Sequence, residues 1–113
     1  SLINCWILDP GSNAHICNNT QYGWTYRRDA MPGEIVYAGR EALPITGWGD
    51  VHLKVNTPAG LSTIKLTHVA YVEGFFANVL GLARCRSLDI HFDSGRDALY
   101  QGSSENVVCK LTY

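Results

Sequence analysis

Short apolar runs broken by turn residues make up most of the chain. Cys5-Trp6-Ile7-Leu8-Asp9 is an apolar run that ends on the turn cluster Pro10-Gly11-Ser12-Asn13, which predicts a strand and its stop. Tyr22, Trp24 and Tyr26 alternate with Gly23 and Thr25 as on a half-buried strand, and Arg27-Arg28-Asp29 closes that pattern. Glu34 to Ala38 is a further strand. Val51, Leu53 and Val55 alternate with His52, Lys54 and Asn56, then Thr57-Pro58-Ala59-Gly60 turns and Leu61 to Val69 returns, which predicts a hairpin. Only Asn78 to Leu88 carries a helical period, through Val79, Leu82, Ala83 and Leu88, with Asn78 as N-cap. Gly81 inside that segment costs about 1 kcal/mol against alanine, so it implies a packing or backbone reason. Ile90 to Asp93, Ala98 to Gln101 and Val107 to Thr112 are closing strands. The pattern predicts an all-β barrel or sandwich with one short helix near the C-terminal end.

Composition narrows this picture. The 113 residues form a single domain, 1–113, large enough for one sizeable core without metals or disulfides. Hydrophobic residues at 46% exclude a disordered chain, and eleven glycines with four prolines agree with many turns. The net charge of -1 leaves no electrostatic footprint for nucleic acid or an anionic membrane. No apolar run approaches the roughly 18 residues of a membrane span. The chain begins at Ser1 rather than Met, as expected of a piece of a longer protein or of a cloning scar. Cys5, Cys17, Cys85 and Cys109 allow three disulfide connectivities but lack the close pairing of a secreted scaffold; three of them sit in apolar stretches as buried thiols. A cytoplasmic protein is the expectation. Asn18-Asn19-Thr20 is formally a glycosylation sequon, which carries no weight without secretion.

The candidate chemistry centres on Asp9. It ends an apolar strand and precedes Pro10-Gly11, so its carboxylate would be partly desolvated with a glycine amide free to approach. The competing reading is an ordinary Asp-Pro-Gly turn. His15-Ile16-Cys17 with Cys5 or Cys109 lacks the ligand spacing of a structural zinc site, so no metal or other cofactor is expected. No cysteine-protease signature surrounds Cys17. Arg27-Arg28 and Arg84-Cys85-Arg86 are too small for a nucleic-acid patch, and His52 is simplest as a solvated residue.

The segment Trp6-Ile7-Leu8-Asp9-Pro10-Gly11-Ser12-Asn13-Ala14-His15-Ile16-Cys17 resembles the active-site strand of copia-like LTR-retrotransposon proteases, W-[IV]-[IL]-D-S-G-A-[ST]-x-H-[IM]. The resemblance continues in order through Pro44 to Val51, Leu66 to Phe75, Asn78-Val79-Leu80-Gly81-Leu82 and Ile90-His91-Phe92-Asp93, spanning Trp6 to Tyr113. It implies a closed retropepsin-like β barrel of about six strands or slightly more, with one short helix, cut from a Gag-Pol polyprotein. It also implies an aspartic endopeptidase acting on peptide or polyprotein as a homodimer, each subunit giving one aspartate to a dyad that shares a proton. Asp9 would be the catalytic residue, in an active-site loop with Pro10, Gly11 and Ser12. Val79, Leu80 and Gly81 would buttress that loop, and Gly47, Trp48 and Gly49 would lie in a flap closing over the peptide. Asp93-Ser94-Gly95 fits the D-[ST]-G pattern better than Asp9-Pro10-Gly11 does. A single-chain enzyme needs two lobes of about this size, however, so Asp93 is expected in a hairpin turn.

Pro10 departs from the family. Where the family has Ser or Thr, a hydroxyl hydrogen-bonds across the dimer axis; proline has neither a hydroxyl nor a backbone N–H to offer. Each lost buried bond costs about 1 kcal/mol, once per subunit. Two functions therefore stand beside each other. One is a dimeric endopeptidase. The other is a catalytically degenerate domain, monomeric or self-associating, kept as an interaction module and retained by a host.

Overall fold

The apolar runs become eleven strands and one helix in the computed structural model, which describes residues 4–111. In chain order these are β1 (Trp6–Asp9), β2 (His15–Cys17), β3 (Thr25–Asp29), β4 (Ile35–Ala38), β5 (Glu41–Pro44), β6 (Gly47–Thr57), β7 (Gly60–Tyr71) and β8 (Asn78–Gly81). Helix α1 (Leu82–Arg86) follows, then β9 (Ile90–Asp93), β10 (Ala98–Gln101) and β11 (Val107–Lys110). Thr112, expected in the last strand, and Tyr113 lie outside the described residues.

Nine strands form one sheet in the order β1-β8-β2-β7-β6-β11-β10-β9, with β3 also paired to β6, and this sheet curls into a half barrel. The hairpin β4–β5 stands apart as a second, two-stranded sheet. The all-β barrel with one short helix is therefore observed. Beyond the strands predicted above, the sheet system contains β2, only three residues long, β5, the return strand of the β4 hairpin, and β8, in the segment expected to be helical. The predicted 51–69 hairpin is the spine of the fold, paired from Gly47 with Tyr71 to Thr57 with Gly60.

Two apolar clusters sit on opposite faces of this sheet. Cys17, Val51, Leu53, Leu66, Val69, Leu80, Cys85, Leu99 and Cys109 fill one, while Ile16, Ile45, Trp48, Ala70, Val72, Phe75 and Val79 fill the other. Neighbouring residues thus feed different clusters, as Val79 and Leu80 do. A strand buried on both faces shows a continuous apolar run instead of alternation. Such a run cannot be told from a buried helix by periodicity. That is why Asn78-Val79-Leu80-Gly81, expected to begin the helix, is a strand, with β8 parallel to β1 and antiparallel to β2. Asn78 caps nothing; fully buried, it accepts from the Asn18 amide at 2.9 Å and donates to the Cys5 carbonyl at 3.3 Å. The helix starts after Gly81 with no side-chain cap.

The third strand also differs from expectation. Arg27-Arg28-Asp29 continues it, because β3 is an edge strand with every residue exposed and its charges find partners across the sheet. Arg27 binds Asp50 Oδ2 through Nε at 2.8 Å and Nη2 at 2.6 Å, and Lys65 Nζ stands 3.6 Å from the same oxygen. Asp50 itself is buried. These cations, Arg27 first, hold its carboxyl below the ordinary carboxylate range. Asp50→Ala leaves both cations without their shared acceptor, and is expected to lower stability by about 2 kcal/mol in urea unfolding. A change within ~0.5 kcal/mol, the range of plain surface substitutions, would contradict this.

Candidate active site around Asp9

Asp9 ends β1 in register with Gly81, which ends β8. Proline at the next position cannot extend a ladder, so the chain turns there: the Asp9 carbonyl accepts from the Ser12 amide at 3.3 Å. The Asp9 side chain reinforces the turn, its Oδ1 accepting from the Gly11 amide at 3.0 Å. Among the described residues, Oδ2 has no hydrogen-bond partner. Asp9 is half-buried, while Pro10 and Gly11 are exposed. Ser12 is turned inward, its Oγ donating to the Ala14 carbonyl at 2.7 Å and accepting from the Ala14 amide at 3.2 Å.

The floor beneath this loop is Gly81. A Cβ there would lie 2.5 Å from the Ala14 carbonyl oxygen and 2.7 Å from that of Ser12. The loop therefore rests on the Gly81 backbone at a distance only glycine permits. That is the reason for the glycine in a segment otherwise suited to helix. Val79 and Leu80, packed into opposite clusters, anchor the strand that carries it.

His15 closes the arrangement. It is 1% exposed on β2, and its Nδ1 accepts a hydrogen bond from the Gly81 amide at 3.0 Å. Because that amide is the donor, Nδ1 carries the lone pair and the neutral ring holds its proton on Nε2. Burial pushes the His15 pKa down to about 4, with Arg84 and His68 adding in the same direction. His15 lies within the motif, but nothing in the motif gives it a role. The available signal was a lone polar residue at the start of a buried strand, which must find a partner inside.

The second aspartate motif is the hairpin turn expected of it. Asp93 Oδ1 accepts from the Gly95 and Arg96 amides at 2.9 and 3.2 Å, and Arg96 Nε lies 2.7 Å from Oδ2. Both oxygens are taken, and the Arg96 guanidinium holds this carboxyl below its usual range. The bond from Gly11 to Asp9 has its equivalent here, so that bond alone marks a turn. What separates the two loops is the Oδ2 of Asp9, which no described residue bonds, and the glycine floor beneath it.

The residues expected in the flap lie inside the main sheet. Gly47, Trp48 and Gly49 are buried in β6, paired with β3 on one side and β7 on the other. A Cβ on Gly49 would come within 2.4 Å of the Thr25 carbonyl oxygen and 2.8 Å of the Trp24 ring. This glycine serves the close approach of the paired strand β3, and opening there would break two ladders. The Trp48 ring is also fixed, stacked on His68 at 4.3 Å with Arg28 5.1 Å from its centroid. The separate hairpin of the region is β4–β5. Its Val36, Ala38 and Leu43 rest on the second cluster, while Ile35 and Tyr37 face solvent.

The other candidates take structural places. All four cysteines are free; Cys17, Cys85 and Cys109 are buried and Cys5 is exposed. Burial pushes the Cys17 thiol up to about 12, which keeps it from acting as a thiolate. Among the described residues no three His, Cys, Asp or Glu side chains gather as metal ligands. His52 bonds the Gly23 carbonyl through Nδ1 at 2.9 Å, and Arg84 is tied to Thr67. An apolar cleft of about 570 Å³ runs beside β1 past Trp6, Ile7 and Leu8, and Asp9 is not in its lining. No described helix is long and apolar enough to cross a membrane.

Compared with known families, residues 6–89 match the one described as Pol polyprotein, beta-barrel domain. The match takes in β1 to β8, α1 and the whole Asp9 loop, and leaves β9 to β11 outside. No curated protein and no solved structure matches the chain.

Proposed function

The chain belongs to the Pol polyprotein β-barrel domain family, and we propose that it serves there as one half of an aspartic endopeptidase of the copia-like, retropepsin-like kind. The observation that carries the reading is the setting of Asp9: a strand-end carboxylate on an exposed loop, one oxygen unpartnered among the described residues, over a glycine floor. One such carboxylate cannot both activate water and polarise a carbonyl. Two copies meeting at this loop supply the pair, and contact between them leaves one proton shared, since both cannot ionise.

In the dimer, the ionised Asp9 takes a proton from water as the water oxygen bonds to the scissile carbonyl carbon. The protonated Asp9 of the partner subunit hydrogen-bonds the carbonyl oxygen. The tetrahedral adduct then collapses, the C–N bond breaks and the leaving amine receives a proton, giving an acid and an amine from peptide and water. The substrate class is the polyprotein from which the domain derives, and the site of action is the cytoplasm, to which four unpaired thiols are suited. The β4–β5 hairpin, and not Gly47 to Gly49, is the segment of this region separate enough from the main sheet to act as a cover.

Pro10 favours the second reading, an interaction module of the same fold. It stands exposed where a hydroxyl would fasten two loops together, and the Gly11 amide is spent on Asp9 of its own chain. The test compares the wild-type chain with Asp9→Asn and Pro10→Ser on a peptide library between about pH 5 and 7. The endopeptidase reading expects loss of cleavage in Asp9→Asn and a gain of about thirtyfold in Pro10→Ser, through recovery of one buried bond per subunit. No loss with the first and no gain with the second leaves the interaction module.

A further inference from the structure

We propose that His15 is a positioning residue for Asp9, its neutral imidazole latching the Gly81 amide so that the glycine floor stays pressed against the Asp9 loop. The proposal rests on the reading of Asp9 as the catalytic carboxylate. Gly81 is the meeting point of three constraints. It is the register partner of Asp9, the carbonyls of Ser12 and Ala14 fill the place a Cβ on it would take, and its amide donates to His15 Nδ1. The chain runs Asp9, turn, Ser12, Ala14, His15, so His15 fastens the far end of the same loop that begins at Asp9. Without the latch, the Ser12 and Ala14 carbonyls would still crowd Gly81, but the side-chain bond that ties the far end of the loop to its amide would be gone.

An acceptor is required at this place, and it must stay an acceptor. A buried amide left unpaired is costly, and a protonated Nδ1 would present a second donor to it. The charged groups around the ring enforce neutrality. Arg84 of α1 and His68 of β7 both disfavour a cation at His15, and burial acts in the same sense. The ring sits on β2 beside β7, in register with Val69, so it has no room to turn to another partner.

The test uses nitrogen-15 NMR on the full chain with His15→Asn and His15→Leu. Asparagine places Oδ1 where Nδ1 stands and restores an acceptor; leucine fills space and restores none. Hydrogen exchange at Gly81 and the carboxyl titration of Asp9 are read together, so the result does not depend on peptide cleavage. The expected outcome is Gly81 protection retained in His15→Asn and lost about tenfold or more in His15→Leu. The Asp9 titration and Gly11 amide shift should then move only in the leucine variant. Equal effects of the two substitutions would overturn the latch. A Gly81 amide that loses protection while Asp9 stays unmoved would overturn the positioning role. Absence of cleavage by the wild-type chain, with these signals as expected, would count against the endopeptidase reading and not against the latch itself.

Discussion

Gly81→Ala lowers the stability of the domain by about 3 kcal/mol or more and abolishes any chemistry at Asp9, the size expected when a methyl group is forced into filled space. The obstacles are the Ala14 and Ser12 carbonyl oxygens, 2.5 and 2.7 Å from the position of the new Cβ. Both belong to the backbone, so no side-chain rotation relieves the overlap and the loop itself must lift. For a domain of this size the melting temperature falls by roughly 12 °C or more. Gly11→Ala is the natural comparison, because its Cβ would meet only Asp9 Oδ1, at 3.6 Å. That substitution is expected to stay within about 1 kcal/mol. Thermal unfolding of the two variants side by side checks the account, and equal shifts would show that Gly81 is not the floor.

Acid should weaken the fold well before its carboxylates protonate. His15 has its pKa depressed to about 4 in the folded chain against 6.5 when unfolded, so between these values the unfolded state binds more protons. Stability is therefore full above pH 6.5 and declines as pH falls toward 4, by roughly 3 kcal/mol in all at 1.36 kcal/mol per pKa unit. His68, lowered by burial and by Arg84 and Arg28, acts in the same direction. The depressed carboxyls of Asp50 and Asp93 lose their contribution only below their ordinary 3.8, so their window lies under that of the histidines. Urea unfolding across this range, with wild type and His15→Asn, isolates the effect. The slope should flatten in the variant to what His68 leaves. An unchanged slope would remove His15 from the explanation.

The fold class was legible because turn residues and alternation survive in exposed parts of the sheet, as along Val51 to Asn56. The helix start and the third strand were not. Asn78 to Gly81 is buried on both faces, which erases the period of two, and Arg27 to Asp29 looks like a loop until Asp50 and Glu34 are seen to answer its charges. At the site, Asp9 and Gly81 could be picked out by motif, since their spacing along the chain is characteristic. The contact between them has no local signature, and the His15 bond that secures it joins residues 66 positions apart. The flap expectation turns on a related ambiguity. Glycine at 47 and 49 signals either flexibility or close approach, and at 49 only the pairing of β3 against β6 decides for the second.

The central claim is that two copies of Asp9 make one active site, and mixing tests it most directly. Wild-type chain is titrated with Asp9→Asn chain at fixed total concentration, at about pH 6, above most of the range in which His15 takes up its proton, and the initial rate of peptide cleavage is followed. A shared dyad makes every mixed dimer inactive, so the rate should fall as the square of the wild-type fraction. A linear fall, or no cleavage by the wild-type chain at any concentration, would contradict the account.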